Sequence, residues 1–194
     1  AIDSTAYAVG EKGTVLARTT TENTWKTVSL TLSMLPENYV LKGISGRSDG
    51  DVWAFSPPST VFRYSMGKWT ESTPGPTQIG KVSISPADIW IAGGSGILWN
   101  DRLLAIDPAL QIFSIYANRN GAVWLAGQYA GVLGNPSAFL GVISNGQIMQ
   151  IPSRIKRTTP EMPIINYNGI WGIDDSQFWV VGDRGLIQRR RVVP

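Results

Sequence analysis

Apolar and small residues alternate along most of this chain in short runs closed by glycine or by polar pairs. A period of two places every second side chain on one face, as in a half-buried strand. Val52-Trp53-Ala54-Phe55, Ile89-Trp90-Ile91-Ala92, Val123-Trp124-Leu125-Ala126 and Phe178-Trp179-Val180-Val181 are copies of one such run, and Tyr7-Ala8-Val9 is a fifth. Glycines follow at Gly10 and Gly13, Gly93 and Gly96, Gly127, and Gly182 and Gly185. The anchor aromatics Tyr7, Trp53, Trp90, Trp124 and Trp179 stand 46, 37, 34 and 55 residues apart. A repeat of about 40 residues built from short strands and tight turns predicts a β-propeller. The expected fold is all-β: a single domain over residues 1–194, a five-bladed β-propeller of short antiparallel sheets. Its blades are expected at about 1–36, 37–76, 77–109, 110–160 and 161–194, with an incomplete terminal blade.

Each repeat divides into four strands, A to D, with A nearest the axis. Blade 2 reads as Val40–Ser45, Val52–Phe55, Thr60–Tyr64 and a last strand from Lys68, with turns at Ser48–Asp51, Pro57-Pro58 and Met66-Gly67. Blade 3 reads as Lys81–Ser85, Asp88–Ala92, Gly96–Asn100 and Leu103–Ile106. Blade 4 reads as Ile112–Tyr116, Ala122–Ala126, Phe139–Ile143 and Gln147–Ile151, with an expanded B–C loop at Gln128–Ala138 and a long connection at Pro152–Pro163. Blade 5 reads as Gly169–Ile173, Gln177–Val181 and Gly185–Arg189 and lacks a convincing D strand. Blade 1 has only Ala1-Ile2-Asp3 where strand A would end. The ends therefore do not complete each other, and ring closure is left open.

Hydrophobic residues make up 43% of the chain and charged residues 16%, which suits a packed globule. Cysteine and histidine are both absent, so thiolate chemistry, the commonest general base and the commonest transition-metal ligand are missing. No cofactor, metal or catalytic residue is expected. A net charge of +3 is no nucleic-acid footprint. No apolar run approaches the roughly 18 residues of a membrane span. The chain opens without a signal-peptide pattern or initiator Met, as a processed N-terminus or a piece of something longer would. The compartment is open, with the extracellular space, the periplasm or a virion surface favoured.

Blade 2 resembles a tectonin repeat through Ser48-Asp49-Gly50-Asp51-Val52-Trp53, Val61-Phe62-Arg63-Tyr64 and Gly67-Lys68-Trp69. Blade 1 is similar to the repeats of Ycf48-like and BNR-type propellers through Ala6–Leu16 and Thr24-Trp25, and blades 3 and 5 follow that form from Gly93 to Gly96 and from Gly182 to Gly185. A full Asp-box is missing, because Ser45 and Trp53 have the wrong spacing for it. Tectonin-like propellers often bind glycans and Ycf48-like ones act in assembly, so the resemblance implies a binding platform and carries over no catalytic residue.

The anchor rings are expected to fill the wedges between blades, because packing requires one at every blade. Trp25 and Trp69 recur before the D strand and are expected to pack too. Trp99 and Trp171 break the pattern, which makes an off-pattern ring the better ligand candidate. Gly-x-x-Gly lacks the Lys-Ser/Thr sequel of a phosphate loop and reads as a tight turn. B–C turns and D–A connections are expected to share one face, where Lys12, Tyr129, Arg154, Lys156, Arg157 and Arg184 would gather. Together with Trp99 these are the expected ligand-binding residues, for a glycan or other polar or anionic ligand. The alternative is a structural or assembly protein that holds partner proteins. Carboxylate-dependent glycoside hydrolysis would have only Glu11, Asp183 and Glu161 near the channel mouth. Arg189–Arg191 read as edge-strand charges that discourage pairing.

Overall fold

The computed structural model describes residues 4–28, 39–48, 50–58, 60–71, 81–85, 88–93, 96–100, 102–118, 121–130, 137–151, 166–172 and 177–191. They build five antiparallel sheets whose strands follow one another in chain order. The first holds β1 (Thr5–Val9), β2 (Val15–Thr19) and β3 (Lys26–Thr27). The second holds β4 (Gly43–Ser48), β5 (Asp51–Ser56), β6 (Thr60–Ser65) and β7 (Lys68–Glu71). The third holds β8 (Lys81–Ile84), β9 (Ile89–Gly93), β10 (Gly96–Trp99) and β11 (Arg102–Leu104). The fourth holds β12 (Leu110–Ala117), β13 (Val123–Tyr129), β14 (Ser137–Ser144) and β15 (Gln147–Gln150). The fifth holds β16 (Tyr167–Gly172), β17 (Gln177–Gly182) and β18 (Ile187–Arg191).

The first strands of successive sheets pack on one another, β4 on β8, β8 on β12 and β12 on β16, while β1 packs on β4. Sheets stacked through their first strands in this way are radial blades, and the molecule is a five-bladed β-propeller. Aligned on the anchors, the three-stranded first blade has no A strand among the described residues, and the last blade has no D strand.

Strand alternation explains how the blades adhere. Val52 and Ala54 of β5 face Val15 of blade 1, whereas Trp53 and Phe55 face Ile91 of blade 3. Trp90 and Ala92 then join Leu110, Ile112 and Leu125 of blade 4. Trp124 and Ala126 join Ile170, Phe178 and Val180 of blade 5, with the Trp124 and Phe178 rings 4.4 Å apart. Trp53, Trp90 and Trp124 are thus each buried by the blade that follows, and truncating such a ring to Ala typically costs about 3–5 kcal/mol. Hydroxyls tie neighbouring inner strands together: Ala117 N–H donates to Ser83 Oγ at 2.9 Å, and Ile170 N–H to Ser114 Oγ at 3.2 Å.

Several boundaries differ from those read in the sequence. The A strand of blade 2 lies at Gly43–Ser48, because Ser48 pairs with Asp51 and leaves a two-residue turn. The expanded loop of blade 4 is shorter than expected, since Gln128 pairs with Ala138 and Tyr129 with Ser137. Trp69 is buried beside Tyr64, but Trp25 is 46% exposed next to a D strand of only two residues. The connection expected at Pro152–Pro163 lies outside the described residues.

Candidate functional site: an axial recess beside an uncovered aromatic wall

In β17, Phe178 and Val180 point into blade 4, so Trp179 and Val181 point to the opposite side. This is the side that a following blade covers at Trp53, Trp90 and Trp124. Among the described residues nothing of that kind covers blade 5: Trp171 is 60% exposed, Val181 43% and Ile187 71%. Trp171, Trp179 and Arg189 sit opposite one another across the three strands. The two rings lie 5.6 Å apart, and the Arg189 guanidinium lies 5.7 Å from the centre of Trp179, within cation–π range. Gln177 Oε1 accepts a hydrogen bond from Arg189 and fixes its reach.

This wall borders a recess of about 370 Å³ on the propeller axis. Its lining includes Lys42 and Lys81 from blades 2 and 3, Phe113 from β12, and Trp171, Trp179 and Val181 from blade 5. Among the described residues no carboxylate lines it. Lys42 and Lys81 stand at the starts of consecutive inner strands, which is how the topology brings both ammonium groups toward the axis. Phe113 arrives through a β-bulge between Ile112 and Ser114, and Asn168 is the extra residue of a matching bulge in β16. A bulge turns one side chain out of the alternating pattern. The recess is therefore apolar and aromatic on one side and cationic on the other.

The residues expected from sequence are distributed differently. Lys12 and Arg184 are exposed at the B–C ends of blades 1 and 5, both in left-handed backbone with φ of 52° and 58°. Tyr129 ends β13 on the same side, edge-on to Phe139 at 5.3 Å. Neither the recess nor the cleft described next includes any of these three. Trp99 lies at the opposite end of its blade, where β10 approaches the C–D turn. Its ring stacks parallel on Trp90 at 5.2 Å, and its indole N–H donates to Asp88 Oδ1 at 2.9 Å. Trp99 borders a second cleft of about 570 Å³, with Asp88, Arg102, Val123 and Gln147, between blades 3 and 4. Arg154, Lys156 and Arg157 lie outside the described residues.

Trp171 stands out in the sequence as an off-pattern ring, whereas Lys42 and Lys81 do not stand out as site residues. The available signal was positional: a lysine opens two consecutive inner strands, and a Trp stands on the inner strand of the last blade only. Asp183, weighed as a channel-mouth acid, is a turn cap. Its carboxylate accepts the Asn168 side-chain amide at 2.6 Å and the Asn166 backbone N–H at 3.1 Å. The Asn168 bond, then the Asn166 backbone bond, hold its pKa below the ordinary carboxylate range. A carboxyl held ionised in this way is a poor proton donor near neutral pH. Among the described residues no group of three potential metal-ligating side chains occurs, and no helix is long and apolar enough to cross a membrane.

No protein-family profile and no curated protein matches the sequence. Solved structures of similar fold include YCF48 from Cyanidioschyzon merolae, with 18% identity and a TM-score of 0.65 over 98% of this chain and 64% of that chain. Another is YCF48 bound to D1 peptide, with 16% identity and a TM-score of 0.60 over 96% of this chain and 59% of that chain. This chain spans less than two thirds of the length of either, and at such identities the likeness establishes the propeller fold.

Proposed function

We propose that this chain is a non-catalytic binding module that holds a segment of a partner protein in the axial recess. The observation that carries this reading is the pairing of the Trp171–Trp179 wall with Lys42 and Lys81 in one concavity whose described lining holds no carboxylate. Such a recess suits an apolar side chain followed by an acidic group, and convergent aromatic and cationic groups are what anchor interfaces. A propeller of similar fold is known bound to a peptide, which supports a polypeptide partner. A glycan has less support, because the aromatic rings expected to stack on it, Trp99 and Tyr129, each pack on a neighbouring ring.

The test presents the protein to an array of acidic-apolar peptides and to a glycan array. Selected peptides should bind, and Trp171→Ala or the pair Lys42→Glu and Lys81→Glu should weaken them about tenfold or more. Lys12→Ala should leave them unchanged. Glycan hits without peptide hits, or peptide binding indifferent to Trp171 and to both lysines, would overturn the assignment.

A further inference from the structure

The repeat supplies its own template for the charged side chains beside an anchor ring. In blade 2, Asp51 stands two residues before the anchor Trp53 and pairs at 2.9 Å with Arg63, the residue opposite that anchor, while Arg47 joins it at 2.7 Å. In blade 5 the same two places hold Gln177 and Arg189, and the arginine again donates to its partner. Blade 3 departs from this arrangement. Asp88 stands two residues before Trp90, but Trp99 takes the arginine's place opposite the ring. The arginine is found one strand further out, as Arg102 opposite Trp99.

This departure leaves two opposite charges unneutralised in one cleft. Asp88 Oδ1 accepts the Trp99 indole N–H and the Asn100 side-chain amide, each at 2.9 Å, and Asn100 in turn accepts the Ile89 backbone N–H at 3.0 Å. Those donors are neutral, so they hold the carboxylate in place without cancelling its charge. Among the described residues neither Asp88 nor Arg102 forms an ion pair, with the other or elsewhere. They are the only charged residues in the described lining of the cleft of about 570 Å³ between blades 3 and 4. Trp90, Val123 and Ile143 are buried and give that cleft an apolar base, with the half-buried Trp99 beside them.

We propose that the cleft is a second binding site, for a small zwitterion with an apolar body, in its simplest form a free α-amino acid with an aliphatic or aromatic side chain. The ligand's carboxylate pairs with Arg102, its ammonium group pairs with Asp88, and its side chain rests on the apolar base. A singly charged ligand satisfies one of the two protein groups and is repelled by the other, and a neutral sugar neutralises neither. A zwitterion satisfies both, through charge-assisted hydrogen bonds, which are the stronger kind. The volume falls within the roughly 300–1,000 Å³ usual for small-ligand sites. The cleft shares no lining residue with the axial recess, so binding here does not require a ligand there.

The experiment titrates the full chain with L-leucine and L-phenylalanine, followed by calorimetry and by the fluorine resonance of Trp99 in 5-fluorotryptophan protein. Each amino acid is compared with its N-acetyl derivative, which lacks the ammonium charge, and with its methyl ester, which lacks the carboxylate. Binding of the free amino acid should shift the Trp99 resonance, and both derivatives should bind about tenfold or more weakly. Arg102→Ala protein should bind the free amino acid and its ester equally weakly, because the group that tells them apart is gone. Asp88→Asn keeps an oxygen for Trp99 and should lose discrimination against the N-acetyl form in the same way. A merely structural role for Asp88 would instead weaken every ligand alike. Arg102 is exposed, so the ester comparison on Arg102→Ala decides the matter even where Asp88→Asn fails to fold. Derivatives that bind as tightly as the free amino acids, binding unchanged in Arg102→Ala, or no binding of either amino acid at millimolar concentration would each overturn the zwitterion site.

Discussion

Asp51 gathers three donors on one carboxylate. Arg47 Nε donates at 2.7 Å, Arg63 Nε at 2.9 Å and Trp53 Nε1 at 3.1 Å, and the Arg63 guanidinium lies 5.2 Å from the centre of the Trp53 ring. Partial burial is the largest single influence on its pKa and pushes it up. The Arg63 hydrogen bond and the charges of Arg47 and Arg63 together outweigh burial, so the carboxyl titrates below its usual range. A folded-state pKa below the unfolded value of about 3.9 adds stability that is present above that value and disappears as pH falls through the folded one. Arg63 is 41% exposed, so solvent screening reduces the pair's worth. Asp51→Asn should lower stability by about 1–2 kcal/mol at pH 7, or several degrees in Tm, with the deficit shrinking below about pH 4. Urea unfolding at both pH values checks this, and an equal deficit at each would contradict it. The sequence marked Asp51 as a turn residue but not as a hub. Its partners sit four residues before, two after and twelve after it, and only the strand register makes them neighbours.

At the scale of strands, the inner strands of blades 2, 4 and 5 are each bulged, at Gly46/Ser48, Ile112/Ser114 and Tyr167/Gly169. The extra residues are Arg47, Phe113 and Asn168, and all three act in contacts described above. The bulges also account for part of the glycine motif. A Cβ on Gly127 would lie 2.0 Å from the Gln111 carbonyl oxygen, and one on Gly182 would lie 2.2 Å from that of Asn166. These glycines allow close backbone approach, whereas the turn itself is made by Gly13 and Gly185, with φ of 65° and 75°. Sequence reasoning assigned both glycines of each pair to the turn, because a bulge on the partner strand leaves no mark in the glycine's own run. Gly127→Ala should destabilise the protein by about 1–3 kcal/mol. Gly10→Ala, with nothing within 4 Å of its new methyl, should change stability by less than about 0.5 kcal/mol. Chemical denaturation of the two variants compares them, and equal effects would contradict the close-approach account.

For the whole molecule, the period of anchors and glycines was enough to read five blades, because packing a radial sheet demands the same ring at the same place in every repeat. The site was less legible for the same reason. Trp179 carries the same local signature as Trp124, and its separate role comes only from what stands beside it. Lys42, Lys81 and Trp171 are distant in sequence and meet only at the axis. Tyr129 was expected from loop length, but longer β13 and β14 strands absorb part of that loop and pack its ring on Phe139. The site depends on burial of Trp53, Trp90 and Trp124 by the following blade and on the lack, among the described residues, of such a cover over blade 5.

Fluorine NMR of 5-fluorotryptophan protein tests that dependence most directly, by comparing resonances in H₂O and D₂O across the eight Trp residues. Trp171 and Trp25 should show large solvent isotope shifts, while Trp53, Trp69, Trp90 and Trp124 should show almost none. A shielded Trp171 resonance in the isolated chain, or an exposed Trp124, would contradict it.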